Sequence, residues 1–232
     1  MNQYISYTQK KQALLNHLLK FITVKRNSLF DKVLSKRTRH ITVVLEDIYQ
    51  SQNASAVLRS CDITGIQDVH IIENNYEYAV NPDVALGSFK WLNLIKYSEH
   101  NTNTIAAFNK LRSEGYRIVA TTPHKNDQTL EDIPLDKKVA LVFGTELTGL
   151  STTAIENADE YLNIPMFGFT ESFNISVSAA LILYNLTNKL RNSAIEWHLT
   201  EEEKLDIKIE WAKRTIDRSD VMVRHFLKSY NS

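Results

Sequence analysis

The feature that most constrains the fold is a regular alternation of strand-like and helix-like segments between residues 41 and 192. The strand-like runs are rich in branched apolar residues, and the first of them, ITVVLE, is a continuous β-branched run, as in a strand buried on both faces of a sheet. These runs are 41–46, 68–73, 92–97, 116–122, 138–143 and 160–165. Such alternation predicts an α/β fold, a parallel sheet flanked by helices.

Apolar residues at helical spacing occur between these runs and on both sides of the alternating region. The predicted helices are 8–22, 27–37, 53–64, 104–114, 152–158, 174–192 and one or two between 196 and 232. Thr200 and Glu203 form a capping-box pattern at the start of the last region. The chain is therefore predicted to have three parts, which are a helical N-terminal extension (1–40), a central domain (41–192) and a helical C-terminal extension (193–232).

Charge is unevenly distributed along a chain whose net charge is zero. Residues 1–40 contain nine Lys and Arg and a single acid, Asp31, and the remaining residues carry the compensating negative charge. A basic extension on an acidic body indicates an arm that meets a polyanion, and the alternative is an ordinary solvated helix face. The predicted phosphate contacts are the last four basic residues before the first core strand: Lys32, Lys36, Arg37 and Arg39.

Several classes of protein are excluded or disfavoured. There is no run of about 18 apolar residues and no apolar segment after the N-terminal charges, so neither a membrane span nor a signal peptide is expected. Cys61 is the single cysteine and the histidines are scattered, which favours a reducing, cytoplasmic setting without a metal site. Neither GxGxxG nor GxxxxGK[ST] is present, which argues against nicotinamide and nucleoside-triphosphate enzymes.

Three unusual loops follow strand ends, where ligands of open parallel sheets bind. In the first, Asn53 precedes Arg59 on a small, apolar helix. Asn53 is also a common helix cap, and Arg59 could form an internal ion pair with Glu46 or Asp62. The sequence therefore allows either a structural or a functional role for Asn53 and Arg59.

The other two loops carry glycines and polar residues beside buried segments. Gly144, Glu146 and Gly149 follow the strand at 138–143, where glycine permits positive φ or close approach of backbone to a ligand. Ser172 and Asn174 open a helix of small residues, which a tightly packed core helix with an ordinary cap would also explain.

Taken together and in order, these segments resemble a known family. The pattern NxxxxxR at 53–59, LVFGTELTGLS at 141–151 and NIPMFGFTESFNISVSAALILY at 163–184 are similar to the three motifs of the SpoU branch of the SPOUT RNA 2′-O-ribose methyltransferases. The resemblance covers roughly residues 41–190, and Phe173 stands where leucine is common in the family.

The resemblance implies a deep C-terminal trefoil knot, S-adenosylmethionine as the methyl donor, and a homodimer with the catalytic centre near the subunit interface. It also implies that the cofactor contacts are largely made by backbone. The implied contact residues are Thr121, Thr122, Phe143, Gly144, Ile164, Met166 and Phe173.

The resemblance further assigns five catalytic positions. Arg59 is the central one, and since arginine is almost always protonated, a clamp on phosphate and developing alkoxide is favoured over a base. Asn53 is expected to orient Arg59 or the ribose, and Glu146 to organise its loop and contact arginine or substrate. Ser172 and Asn174 are expected to position the substrate and the cofactor loop.

The extensions bear on the RNA target. Forty residues are too few for the separate RNA-binding domain that many ribosomal-RNA enzymes of the family carry. A short basic N-terminus with a helical C-terminal extension resembles the tRNA guanosine-18 2′-O-methyltransferases, so tRNA is the expected partner. The alternatives are a ribosomal-RNA 2′-O-methyltransferase and an RNA-binding homologue without catalysis.

Overall fold

The structure, a computed structural model, describes residues 2–78, 81–85, 87–99, 102–123 and 128–230. In chain order the elements are α1 (Asn2–Leu19), α2 (Val24–Leu34), β1 (Ile41–Glu46), α3 (Ser51–Thr64), β2 (Asp68–Ile72), α4 (Pro82–Ala85), a 3₁₀ turn (Ser88–Trp91), β3 (Asn93–Tyr97), α5 (Asn103–Ser113), β4 (Tyr116–Thr121), β5 (Lys138–Phe143), α6 (Thr152–Glu156), β6 (Glu160–Leu162), α7 (Ile175–Arg191), α8 (Glu201–Thr215) and α9 (Ser219–Tyr230). Each predicted strand and helix has a counterpart, whereas α4 and the 3₁₀ turn were not predicted.

The chain divides into two compact units, a helical unit (residues 1–37 and 198–232) and a sheet unit (residues 38–197). The helical unit contains α1, α2, α8 and α9, and so combines segments from both predicted extensions. The division into three functional parts stays a prediction.

The helical unit has its own apolar core, formed where α1 packs against α8. Leu15 and Leu18 of α1 are buried with Leu205, Ile209 and Ala212 of α8. The capping box predicted at the start of α8 is present, and the backbone N–H of Glu203 donates to Thr200 Oγ1 at 3.2 Å while Thr200 N donates to Glu203 Oε2 at 2.8 Å. These bonds satisfy backbone donors that a helix N-terminus otherwise leaves open.

The helical unit is basic and the sheet unit acidic. The helical unit has fifteen Lys and Arg against eight Asp and Glu, and the sheet unit has twelve against nineteen.

Of the predicted phosphate contacts, Arg37 is wrong, and Arg39 stays a prediction. Arg37 is 1% exposed, with its guanidinium 5.4 Å from the centroid of the Trp211 ring, and Arg39 donates to Asp68 at 2.8 Å. The Arg37 guanidinium is buried, whereas the Arg39 side chain is 27% exposed and paired with a neighbouring carboxylate. A stretch of charges in sequence does not reveal which side chains face inward.

The sheet unit is a six-stranded parallel sheet in the order β3-β2-β1-β5-β4-β6. The predicted α/β class is confirmed. The central strands β1 and β5 are buried almost throughout, because α3 and α7 contribute to the core on one face and α5 and α6 to the core on the other. Since all strands are parallel, the loops after β1, β4, β5 and β6 lie at one edge, where ligands bind in such sheets.

No helix among the described residues is long and apolar enough to cross a lipid bilayer. Within the same ranges, no group of three or more His, Cys, Asp and Glu side chains is arranged to hold a metal ion.

A buried histidine in β2 gives the sheet unit a predictable sensitivity to acid. His70 is 3% exposed, and its Nδ1 lies 2.8 Å from the Tyr97 hydroxyl. Burial, with a smaller contribution from the positive charge of Lys110, lowers the pKa of His70 to about 4 from its ordinary value of 6.5. The unfolded chain therefore binds this proton more readily than the folded chain does. Stability from this group is complete above pH 6.5 and is lost as the pH falls towards 4.

We expect this histidine to cost the protein about 3 kcal/mol of unfolding free energy between pH 6.5 and 4. Urea unfolding of the wild type and of His70→Gln across that range measures the effect. Carboxylate titration contributes equally to both proteins, so the difference between the two curves isolates His70. Parallel curves would contradict the expectation.

Candidate active site

Three polar residues from segments far apart in the sequence meet at the carboxyl edge of the sheet. Asn174 is the N-cap of α7, and its Oδ1 accepts a hydrogen bond from the Ser176 N–H at 2.8 Å. Its Nδ2 donates to Glu146 Oε1 and, at 3.3 Å, to Asn53 Oδ1. The side-chain amide of Asn174 is thus fixed in orientation, because its oxygen and its nitrogen are both engaged. We call Asn53, Glu146 and Asn174 the polar cluster.

Asn53 is not a helix cap. α3 begins two residues earlier at Ser51 with Gln50 as its N-cap residue, and Asn53 Nδ2 donates to Gln50 Oε1 at 2.6 Å. Ser55, whose residue type also caps helices, instead accepts a hydrogen bond from the Asn81 N–H at 2.8 Å. Asn53 is therefore oriented by side chains on both sides. Sequence reasoning missed Gln50, whose role carries no recognisable motif.

Glu146 is held at the tip of a tight backbone turn. Thr145 N donates to the Gly149 carbonyl at 2.9 Å, Gly149 N donates back at 3.1 Å, and the Thr145 and Thr148 hydroxyls lie 2.7 Å apart. Gly149 has φ +69°, a conformation that favours glycine. The turn therefore presents Glu146 from a short and internally bonded loop.

Gly144 is required by the same turn. An added Cβ would lie 2.2 Å from the Gly149 carbonyl oxygen, which is far inside contact distance. The turn alone therefore requires glycine at position 144, and the predicted contact of Gly144 with the cofactor stays a prediction.

A buried carboxylate anchors the far end of the Glu146 loop. Glu46, at the end of β1, is 2% exposed and accepts hydrogen bonds from Ser151 N at 2.9 Å, Ser151 Oγ at 2.8 Å and Thr104 Oγ1 at 2.6 Å. Ser151 in turn caps α6. The sequence signal was an acidic residue ending a buried strand. The sequence suggests Glu46 only as an ion-pair partner for Arg59, and that prediction is wrong.

Arg59 lies on the exposed side of α3 and forms no hydrogen bond or ion pair with any other residue in the described ranges. The alternative of an internal ion pair with Glu46 or Asp62 therefore fails. The structure joins Asn53, Glu146 and Asn174, but it does not connect Arg59 to them. An exposed arginine without an internal partner has its whole guanidinium fork available to an external anion.

A cavity of about 470 Å³ opens beside the polar cluster, within the ~300–1,000 Å³ typical of small-molecule sites. Its walls come from the segments that follow β4, β5 and β6. All seven predicted cofactor residues line it: Thr121, Thr122, Phe143, Gly144, Ile164, Met166 and Phe173. Glu146 and Ser172 line it as well, whereas Ser172 forms no hydrogen bond with any other residue that the structure describes.

Comparison with known proteins gives consistent matches. The model of the "SpoU rRNA Methylase family" matches residues 40–184. A tRNA (guanosine(18)-2′-O)-methyltransferase of Borreliella burgdorferi is 46% identical over 199 residues, which cover 86% of this chain and 89% of that protein.

Solved structures of SpoU-type enzymes have a similar fold. The Aquifex aeolicus TrmH/SpoU tRNA modifying enzyme superposes with a TM-score of 0.74 at 28% identity, covering 84% of this chain and 98% of that one. The SpoU methyltransferase AviRb of Streptomyces viridochromogenes, solved in complex with the cofactor AdoMet, has a TM-score of 0.57 at 20% identity. It covers 70% of this chain and 62% of its own, and shares the fold.

Proposed function

Because this chain belongs to the SpoU methylase family, we propose that it transfers a methyl group from S-adenosylmethionine to the ribose 2′-hydroxyl of guanosine 18 in tRNA. The observation that carries the choice of substrate is the extent of the match to the Borreliella burgdorferi enzyme. The 199 aligned residues exceed the 160 of the sheet unit, so the likeness extends into the helical unit. The helical unit carries the excess of basic residues that favours RNA.

The cavity beside the polar cluster is the proposed S-adenosylmethionine site. Its volume suits a small molecule, and its walls combine apolar side chains with backbone from three loops. The apolar contacts would come from Phe143, Ile164, Met166 and Phe173. When bound, the cofactor supplies a methyl group that its sulfonium already activates.

The residues of the chain must then orient a hydroxyl that is a weak nucleophile. Glu146, restrained by Asn174, borders both the cavity and the groove that contains Asn53. One carboxylate oxygen is engaged by Asn174, and the other can accept a hydrogen bond from the ribose hydroxyl. Arg59 would hold a neighbouring phosphate and stabilise the negative charge that develops on the oxygen.

The test of this function is to map the methylated nucleotide. Unmodified tRNA and a copy carrying 2′-deoxyguanosine at position 18 are incubated with labelled S-adenosylmethionine. We expect label at nucleotide 18 of the first RNA and none in the second, which lacks the accepting hydroxyl. Label in ribosomal RNA instead would overturn the substrate. Binding of tRNA without any transfer would favour the non-catalytic homologue.

Gly144→Ala tests how the cavity is built. We expect it to lower affinity for S-adenosylmethionine by about tenfold or more, since an added Cβ must displace the Gly149 backbone that forms part of the cavity wall. Calorimetry with the folded variant measures the effect. Gly168→Ala is the matched control, because a Cβ there meets nothing within 4 Å. Equal affinity in both variants would contradict this role.

We propose a homodimer that forms through the outer face of α7. Val177, Leu181 and Tyr184 fall at i, i+4 and i+7, on one side of the helix, and are 44%, 43% and 68% exposed. A second copy would cover this apolar row. We expect Leu181→Glu to shift the protein to a monomer and reduce methyl transfer, as measured by sedimentation and activity. Ile63→Glu, at a position 74% exposed on α3, is the control and should stay dimeric.

We also propose that α7 completes a deep trefoil knot. The order β5-β4-β6 supports this, because the chain must cross back over β4 before it enters α7. Closure of the chain path in an experimental structure is the check. The proposed location is the cytoplasm, which fits the tRNA substrate and the single, buried, reduced Cys61.

A further inference from the structure

Two exposed tyrosines face each other at the carboxyl edge of the sheet. Tyr49 follows β1 and Tyr76 follows β2, and their ring centroids lie 5.3 Å apart with planes inclined at 43°. The rings are exposed, since Tyr49 retains 46% and Tyr76 51% of their accessible surface. Exposed aromatic rings that contact each other form a contiguous apolar patch, and such patches mark ligand or partner sites more often than single exposed rings do.

The loops that carry the tyrosines are held together by one strained residue. Asp47 has φ +54° and is 7% exposed. Its carboxylate accepts hydrogen bonds from Asn74 N at 2.7 Å, from Asn75 N at 2.8 Å and from Asn75 Nδ2 at 2.8 Å. Aspartate adopts positive φ more readily than most residues, and here the hydrogen bonds to its carboxylate hold it in that conformation. The tyrosine pair is therefore fixed in place before any ligand arrives.

A chain of side-chain hydrogen bonds connects the pair to the polar cluster. Gln50 Nε2 donates to the Tyr49 hydroxyl at 3.1 Å, Asn53 donates to Gln50 at 2.6 Å, and Asn174 donates to Asn53. Tyr49, Gln50, Asn53 and Glu146 also line one shallow groove. The tyrosines thus form a continuous surface with the proposed catalytic residues.

We propose that the Tyr49–Tyr76 pair binds the nucleobase of the nucleotide whose ribose is methylated. The inference rests on the proposed function and adds the residues that receive the base. The base and the 2′-hydroxyl of one nucleotide are joined through a single sugar. A hydroxyl at the polar cluster therefore brings its base onto the adjoining surface. Proteins bind unstacked RNA bases on aromatic side chains, and each stacked base contributes substantially to affinity.

The first experiment changes the rings. We expect Tyr76→Leu to lower kcat/KM for tRNA by about tenfold or more, because a branched aliphatic side chain offers no flat face for stacking. Tyr76→Phe keeps the face and should retain most of the activity. S-adenosylmethionine affinity should be unchanged in both variants. Ile63→Ala is the control, since it removes an exposed apolar side chain at the far end of α3.

The second experiment removes the base. A tRNA with an abasic ribose at the methylated nucleotide keeps the accepting hydroxyl. The kcat/KM of the wild type for this abasic tRNA should fall by about the same factor as the kcat/KM of Tyr76→Leu for intact tRNA. If the ring contacts the base, the kcat/KM of Tyr76→Leu for the abasic tRNA should be little lower than after either change alone. The same contact cannot be removed twice.

The outcomes separate the possibilities. Multiplicative losses, or full activity of the wild type on the abasic RNA, would overturn the base site and leave the pair a loop-stiffening contact. The proposed function fails differently, by absence of methylation at nucleotide 18 of intact tRNA. In that case the abasic ribose is placed at whichever nucleotide receives the methyl group. If no RNA is methylated, 2-aminopurine at position 18 reports directly, and equal fluorescence with wild type and Tyr76→Leu would overturn the site.

Discussion

Arg59→Ala is expected to reduce methyl transfer about 100- to 1,000-fold, the usual cost of removing one donor that stabilises developing charge. Affinity for S-adenosylmethionine should not change, since Arg59 does not line the cavity. Stability should not change either. The side chain is exposed and has no hydrogen bond or ion pair within the described ranges, so its removal leaves no buried partner uncompensated.

Single-turnover rates at saturating RNA measure this effect, because they separate the chemical step from binding and product release. Arg59→Lys keeps the charge but loses the two-pronged guanidinium, and should also be slow. Arg112→Ala is the matched control, because that guanidinium pairs with Asp159 at 2.7 Å and lines none of the cavities described above. Near-normal turnover by Arg59→Ala would remove the residue from the catalytic assignment.

The sheet was predictable because its strands have a local signature. β1 and β5 consist mostly of apolar residues, and such runs form in parallel sheets covered on both faces. The helices between them follow from apolar spacing and from caps such as Gly65. Local preference and tertiary burial agree in these segments, so the sequence alone was sufficient.

The polar cluster was predictable only in its membership. Motif resemblance singled out Asn53, Glu146 and Asn174, but their contacts join residues 121 and 28 positions apart. No periodicity encodes such distances. Gln50 was not predicted for a related reason, because its role depends on its hydrogen bonds to Tyr49 and Asn53 in the folded chain.

Two further features depended on backbone geometry that residue types reveal poorly. Asp47 adopts positive φ without being glycine, because four backbone or side-chain N–H groups from one loop hold its carboxylate. Gly144 looked like a ligand contact, and its Cβ position is filled by a neighbouring turn. Composition gives the possible reasons for a glycine or an aspartate, and the packed backbone selects among them.

The basic surface of the helical unit provides the second large expected effect. Lys20, Lys25 and Lys32 are exposed and form no ion pair with any other residue in the described part of the chain. Replacing all three with Gln should weaken tRNA binding and leave S-adenosylmethionine affinity unchanged. If each lysine contacts a phosphate, the slope of log K against log salt should flatten by up to about 3, since counterion release contributes just under one unit per contact.

A second triple substitution separates contact from overall charge. Lys204, Lys208 and Lys213 belong to the same unit and pair with Glu201, Asp31 and Glu210. Replacing them with Gln removes the same charge from side chains already engaged within the protein. Phosphate contact predicts a flatter salt dependence for the first triple alone. Equal flattening in both would show that net charge draws tRNA to the unit without defined contacts. An unchanged slope in both would remove the helical unit from RNA binding and weaken the case for tRNA as the substrate.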